Sequence, residues 1–217
     1  MIKAIIFDMD GLMFDSERLG IYITEKVMND LPFDFDQDLN MRIIGTNMEY
    51  CKNEYVKTYG IDFPFDDMMR QKKEMTIHYY EENDIPKKAG LIELLQFLKE
   101  NNYKIGVATS TYREKAEYML KKANIYPFFN VIVCGDEVEQ SKPNPDIYLK
   151  ALQKLNVQKN EAFVIEDSEN GLIAGQNAGI STIFIKDLIT PNGKVLEKVT
   201  HKANTLHDVI TILQASK

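Results

Sequence analysis

Apolar positions fall in two rhythms along this chain. From about residue 86 onward, short unbroken apolar runs alternate with stretches of helical spacing. The runs Lys104-Ile105-Gly106-Val107-Ala108, Val131-Ile132-Val133-Cys134, Ala162-Phe163-Val164-Ile165 and Ser181–Ile185 read as strands. Between them, Leu91, Leu94, Leu95 and Leu98 recur at helical intervals. So do Ala116, Met119, Leu120 and Ala123, then Tyr148, Ala151, Leu152 and Leu155, and finally Leu206, Val209, Ile210 and Leu213. Ser168 suits the cap of a further helix that finishes near Gly179. An earlier run over residues 2–7 gives the first strand. Such alternation implies right-handed crossovers and a parallel sheet covered on both faces.

Residues 15–83 break this rhythm, with helical patterns and no strand. Ser16 is placed to cap a helix reaching about Asn29, and Asn47 a second that ends at Gly60. Asp66 or Asp67 opens a third that stops before Pro86, and the methionines and tyrosines of the segment pack a small bundle. The expected fold is therefore α/β. A Rossmann-like parallel sheet core flanked by helices occupies residues 1–14 and 84–217. A small all-α helical cap, residues 15–83, is inserted after the first strand, over the edge where Asp8 emerges.

The strand ends carry the candidate chemistry. Asp8 and Asp10 follow the first run at a spacing that shares one face of a strand, and Gly11 follows them. Thr109 and Ser110 end the second strand, Gly135 and Asp136 the third, and Glu166 and Asp167 the fourth. Asp and Gly after one strand also suit an ordinary turn. Acidic and hydroxyl groups at several strand ends of one parallel sheet instead mark its ligand-binding rim. Two carboxylates this close repel unless a cation or a proton sits between them. The loop Ser141-Lys142-Pro143-Asn144-Pro145, stiffened by two prolines, is placed to hold the Lys142 ammonium over the same rim. Carboxylates with a backbone oxygen suit Mg²⁺. Lysine and hydroxyl donors balance phosphate oxygens. One aspartate would attack phosphorus, and its neighbour two residues on would act as general acid and base.

Composition narrows the partners. With 33 acidic against 26 basic residues the net charge is −7, which offers no footprint for nucleic acid or anionic lipid. No apolar run reaches the length of a membrane span, and Met1-Ile2-Lys3-Ala4 does not open a signal peptide. Cys51 and Cys134 have no metal-ligand spacing and read as reduced apolar residues, and the three histidines are not spaced as ligands either. The expectation is a cytoplasmic monomer acting on a small phosphorylated metabolite, without nucleic acid or membrane partners.

The ordered set of Asp8-x-Asp10-Gly11, the Thr109 hydroxyl, Lys142-Pro143 and Glu166-Asp167 resembles the four motifs of the haloacid dehalogenase superfamily. The position of the helical insert resembles its β-phosphoglucomutase-like branch. The resemblance implies Asp8 as nucleophile, Asp10 as general acid/base, Thr109 as a phosphate-binding hydroxyl, and Lys142 as the cation steadying phosphate and nucleophile. It implies Mg²⁺ held by Asp8, Asp167 and the Asp10 carbonyl, with Glu166 behind them. Ser110 and the cap residues Glu17, Gly45, Thr46 and Asn47 are candidates to touch substrate, although Asn47 also suits a helix cap and Gly45 a turn. Asp10 argues for a phosphate ester, because dehalogenating members of the family lack an acid there.

Two departures favour hydrolysis over phosphoryl return. Sugar-phosphate mutases of this branch carry a cap arginine where this chain has Met48. A thioether cannot replace a guanidinium on phosphate. Relatives with the Asp15-Ser16-Glu17 run often carry histidine where this chain has Gly20. The expected activity is Mg²⁺-dependent hydrolysis of a phosphomonoester, a sugar phosphate or similar compound, through an aspartyl-phosphate. A β-phosphoglucomutase-type mutase is the nearest alternative. A receiver-like phospho-acceptor module is a more distant one, which the insert and the Asp8-x-Asp10 spacing oppose.

Overall fold

A computed structural model describes residues 1–46 and 48–215. The chain divides into two compact units, Met1–Asp15 with Ile85–Lys217, and Ser16–Asp84. In the first unit, β1 (Ala4–Phe7) lies at the centre of a six-stranded sheet. Beside it run β2 (Lys104–Ala108), β3 (Val131–Val133), β4 (Ala162–Glu166), β5 (Ser181–Ile185) and β6 (His201–Ala203). The order is β3-β2-β1-β4-β5-β6, and every pairing is parallel. The α/β expectation holds, with a Rossmann-type strand order whose switch point lies at β1.

β1 is fully buried, as a strand covered on both faces must be. Phe7 aligns with Val107 on one side and Ile165 on the other, so the three strands end level with one another. Ala4 and Ile6 face a core completed by Ile147, Tyr148, Ala151 and Leu155 of α7 (Asp146–Leu155) and by Ala174 of α8 (Glu169–Asn177). Elsewhere in this unit, α5 (Leu91–Glu100) packs on β2 and on α10 (Leu206–Ala215). The apolar stripe of α5 is Leu91, Leu94, Leu95 and Leu98, all buried. The unit also holds α6 (Arg113–Lys122) and the short α9 (Gly193–Leu196). Among the described residues, no helix is long and apolar enough to cross a membrane.

The second unit is helical, with α1 (Ser16–Asn29), α2 (Gln37–Ile43), α3 (Met48–Tyr59) and α4 (Phe65–Glu82). α1 packs on α4, and α2 on α3. Its aromatic residues form the core of one end: Tyr55 stacks on Phe63 at 5.1 Å between centroids, and Phe33 meets Phe63 edge-on at 5.1 Å. The buried Tyr55 hydroxyl donates to Asn40 Oδ1 at 3.1 Å.

Three features differ from the sequence reading. α2 and β6 carry no signal in the apolar rhythm, because α2 is short and polar and β6 is a three-residue edge strand reading His-Lys-Ala. α4 begins at Phe65, so Asp66 and Asp67 sit inside its first turn, where acidic groups complement the positive helix end. Asn47, expected as a cap, lies outside the described residues.

One ion network ties β3 to two helices. The Glu137 carboxylate accepts from Arg113 of α6, from Lys154 of α7 at 2.7 Å, and from the Cys134 N–H at 3.0 Å. Burial works to raise this carboxyl, but the donors outweigh it and hold it at about 2. A carboxyl depressed on folding stabilises above its unfolded value, and the benefit fades as acid approaches the folded value. Allowing for solvent screening, Glu137→Gln should cost about 1 kcal/mol at pH 7. The gap from wild type should close as pH falls from about 5 to about 2. Urea unfolding of both proteins across that range measures it, and a gap independent of pH would contradict the assignment.

Candidate active site

The carboxyl ends of β1, β2 and β4 deliver the polar residues to one place. Asp8 continues the β1 ladder, its N–H donating to the Ile165 carbonyl at 3.1 Å. The chain must then turn at once, and Gly11 makes this possible. Its φ is +81°, and a Cβ there would lie 2.4 Å from Asp167 Oδ2. Only glycine serves both conditions.

Lys142 is the hub. It precedes Pro143 in a cis peptide, and Pro145 caps α7 just beyond. Its side chain is 6% exposed. Its ammonium donates to Asp8 Oδ1 at 2.5 Å, Glu166 Oε1 at 2.7 Å and the Ala108 carbonyl at 3.0 Å. Three donors thus meet three acceptors at the carboxyl ends of β1, β4 and β2. Burial alone would lower this ammonium's pKa, but Asp8 and Glu166 raise it well above the ordinary lysine value.

Hydrogen bonding separates the acids. Glu166 Oε1 accepts from Lys142 and from the Tyr148 hydroxyl at 2.6 Å. Its Oε2 accepts from the Asp167 N–H, the Ser168 N–H and the Ser168 hydroxyl. A carboxylate offers about four lone-pair sites, so Glu166 is saturated. Asp167 is the reverse: its buried Oδ1 accepts no hydrogen bond among the described residues. Oxygens of Asp8, Glu166 and Asp167 all lie within 4.8 Å of one another. Burial pushes Asp8 up to about 8 against the pull of Lys142, while Glu166 and Asp10 add to the rise. Burial likewise raises Asp167 well above the carboxylate range, with Glu166, Asp8 and Asp187 contributing. Burial would raise Glu166 too, yet Lys142 and the hydrogen bonds hold it low. This all-oxygen set fits a hard divalent cation, which would favour ionised Asp8 and Asp167 and fill the position at Asp167 Oδ1.

The hydroxyl residues divide their tasks. Buried Thr109 continues the β2–β3 ladder, donating its N–H to the Val133 carbonyl at 3.0 Å, and its Oγ1 accepts from the Thr111 N–H at 3.1 Å. Ser110 stands in the same turn, close enough to Gly135 that a Cβ there would lie 2.2 Å from its carbonyl oxygen. Thr111, which the motif reading passed over, donates to Asp10 Oδ2 at 2.7 Å and fixes that carboxylate. Its only sequence signal is the third place in a Thr-Ser-Thr run. Asp136, read as a rim acid, instead accepts from the Arg113 N–H at the start of α6. Tyr148, read only as a packing position, reaches Glu166 with its hydroxyl.

Glu17, Gly45 and Thr46 lie in the helical unit. They line a cavity of about 150 Å³ there, together with Gly20, Met48, Cys51, Tyr55 and Lys72. Asn47 lies outside the described residues. Arg42 is engaged by Glu54 at 3.5 Å.

The model of the haloacid dehalogenase-like hydrolases matches residues 5–185. The chain belongs to that family. It is 31% identical over 183 residues to the phosphorylated carbohydrates phosphatase of Thermotoga maritima, covering 84% of each protein. A solved Thermotoga maritima structure described as a candidate β-phosphoglucomutase aligns at a TM-score of 0.85 with 27% identity over 100% of both chains. CbbY from Rhodobacter sphaeroides, solved with phosphate, aligns at 0.76 with 25% identity over 96% of each. These likenesses place this family member in the β-phosphoglucomutase-like branch and make it a hydrolase of the phosphatase type.

Gly171 of α8 tests the arrangement of the acids. A Cβ there would lie 1.7 Å from Glu166 Oε1. Alanine is intrinsically the better helix former, so any loss must come from displacing that carboxylate. Gly171→Ala should lower turnover by about 100-fold, the scale of a misplaced catalytic group, with far-UV circular dichroism unchanged. Wild-type turnover in the variant would show that Glu166 does not hold Lys142 in its working position.

Proposed function

We propose that this phosphatase hydrolyses a small phosphomonoester, a sugar phosphate or similar metabolite, with Mg²⁺ as cofactor and Asp8 as nucleophile. The observation that carries the reading is the buried contrast between saturated Glu166 and Asp167 with its open Oδ1, beside Asp8 on Lys142. Asp8 and Asp167 would hold Mg²⁺ with the Asp10 main-chain carbonyl, and Glu166 stays behind them. Bound there, Mg²⁺ supplies the positive charge that offsets repulsion between a carboxylate nucleophile and an anionic phosphate.

In the first half-reaction, an Asp8 carboxylate oxygen bonds to phosphorus as the ester P–O bond breaks, and Asp10 gives its proton to the departing alcohol oxygen. Thr111 holds the Asp10 carboxylate through this exchange. Lys142, already on Asp8, has its charge beside the transferred group, and the Thr109–Ser110 turn supplies further donors. In the second half, Asp10 takes a proton from water, whose oxygen attacks phosphorus and frees Asp8 and inorganic phosphate. The helical unit carries substrate selection, with Glu17, Gly45, Thr46 and Asn47 as the positions to vary. Similarity to the Thermotoga phosphatase of phosphorylated carbohydrates supports the substrate class.

Likeness to a candidate β-phosphoglucomutase favours a second reading, phosphoryl return to a sugar. Met48 offers no guanidinium for a second phosphate, which weighs against it. Incubation with β-glucose 1-phosphate, Mg²⁺ and a trace of the bisphosphate separates the two. Free phosphate should form, and conversion to glucose 6-phosphate with little phosphate released would establish the mutase.

The nucleophile and cofactor are tested on a panel of phosphorylated metabolites. Asp8→Asn should abolish turnover, by at least about 1,000-fold, while circular dichroism stays unchanged. Excess chelator should silence the wild type and added Mg²⁺ restore it. Full turnover by metal-stripped protein would refute the cofactor assignment.

A further inference from the structure

We propose that Tyr148 is a positioning residue for this chemistry, its hydroxyl aiming the Glu166 carboxylate so that Lys142 stays on Asp8. The proposal rests on the phosphatase reading above. Tyr148 lies on the apolar face of α7 at 0% exposure, among side chains that need no hydroxyl. A phenylalanine would fill that packing position equally well. A buried phenol needs a partner, and this one has Glu166 Oε1 at 2.6 Å. The same oxygen accepts from Lys142 at 2.7 Å.

The arrangement works by division of labour on one carboxylate. Oε2 is held by the Asp167 and Ser168 N–H groups and the Ser168 hydroxyl, which anchor it to the turn after β4. Among the described residues, Oε1 has no backbone donor. Tyr148 supplies the second restraint there, so the carboxylate plane is set by donors at both ends. The ring adds a further contact, since the Lys142 ammonium lies 5.0 Å from its centroid. Glu166 thus presents one fixed oxygen to Lys142. The ammonium's remaining protons are directed to Asp8 and the Ala108 carbonyl. Burial next to Glu166 keeps the phenol protonated, and hence a donor.

Tyr148→Phe removes the hydroxyl and leaves the ring. Hydrolysis of an aryl phosphate should fall about 10-fold in kcat/KM, and inorganic phosphate titrated calorimetrically with Mg²⁺ present should bind about 5- to 10-fold more weakly, since each reads the placement of Lys142. Half-saturation by Mg²⁺ should move less than about 2-fold, because the Oε2 bonds beside Asp167 are untouched. The melting temperature should fall by no more than about 4 °C. In a Glu166→Gln background the same change should cost less than about 2-fold in phosphate affinity, because the two residues act as one unit. General loosening would instead weaken Mg²⁺ and phosphate together, which overturns the proposal. So does unchanged turnover and phosphate affinity in Tyr148→Phe, or an undiminished effect in the Glu166→Gln background. Were the wild type to lack phosphatase activity, the functional reading would fall, while the phosphate titrations would still decide the role of Tyr148.

Discussion

A buried ammonium between two carboxylates is the constraint on which the catalytic unit is built. Removing Lys142, Asp8 and Glu166 from water costs several kcal/mol per ion, and attraction repays it only when every donor has its acceptor. The three acceptors of Lys142 come from the ends of β2, β1 and β4, which are neighbours in the sheet. The register that makes Phe7 level with Val107 and Ile165 therefore also sets the depth at which these groups meet. Loss of Lys142 would leave the buried acids without their cation, and loss of an acceptor would leave one of its protons unpaired, so geometry and electrostatics enforce each other.

The same constraint assigns different work to chemically similar acids. Glu166 is fully occupied and stays ionised, which suits an organiser. Among the described residues, Asp167 keeps a buried oxygen without a donor, which suits a metal ligand. Asp8 touches Lys142 yet is pushed up to about 8 by burial, so its ionised form calls for further positive charge. Asp10 is held by Thr111, which suits the proton transfer proposed for it. Close approach underlies each role. Gly11 and Gly171 leave room where a single methyl would strike Asp167 or Glu166.

Tyr148 shows how a packing position and a site residue coincide. Helix α7 buries its apolar face because Ile147, Ala151 and Leu155 complete the core against β2, β3 and β1. That same burial carries a phenol to the inner side of the rim, where one oxygen of Glu166 receives it. Stability and positioning are then properties of one side chain, and its hydroxyl is the part that packing does not require.

Much of this was legible in the linear chain. Apolar runs alternating with helical stripes determine a parallel α/β sheet, because strands buried on both faces must be continuously apolar. The acidic, hydroxyl and lysine residues stand just past those runs, so Asp8, Asp10, Thr109, Lys142, Glu166 and Asp167 were visible as strand-end and loop groups. What the chain alone could not decide was which atoms meet. α2 and β6 have no rhythm of their own, being short and polar. Thr111 and Tyr148 are separated from their partners by 101 and 18 positions. Asp136 looks like a rim acid until the fold turns it onto the Arg113 N–H. The saturation of Glu166 and the open oxygen of Asp167 depend on donor directions, which arise only once strands, turns and helices are packed. Sequence pattern selects the layers because burial is a one-dimensional signal; hydrogen-bond partnership is three-dimensional, and the tertiary structure decided it.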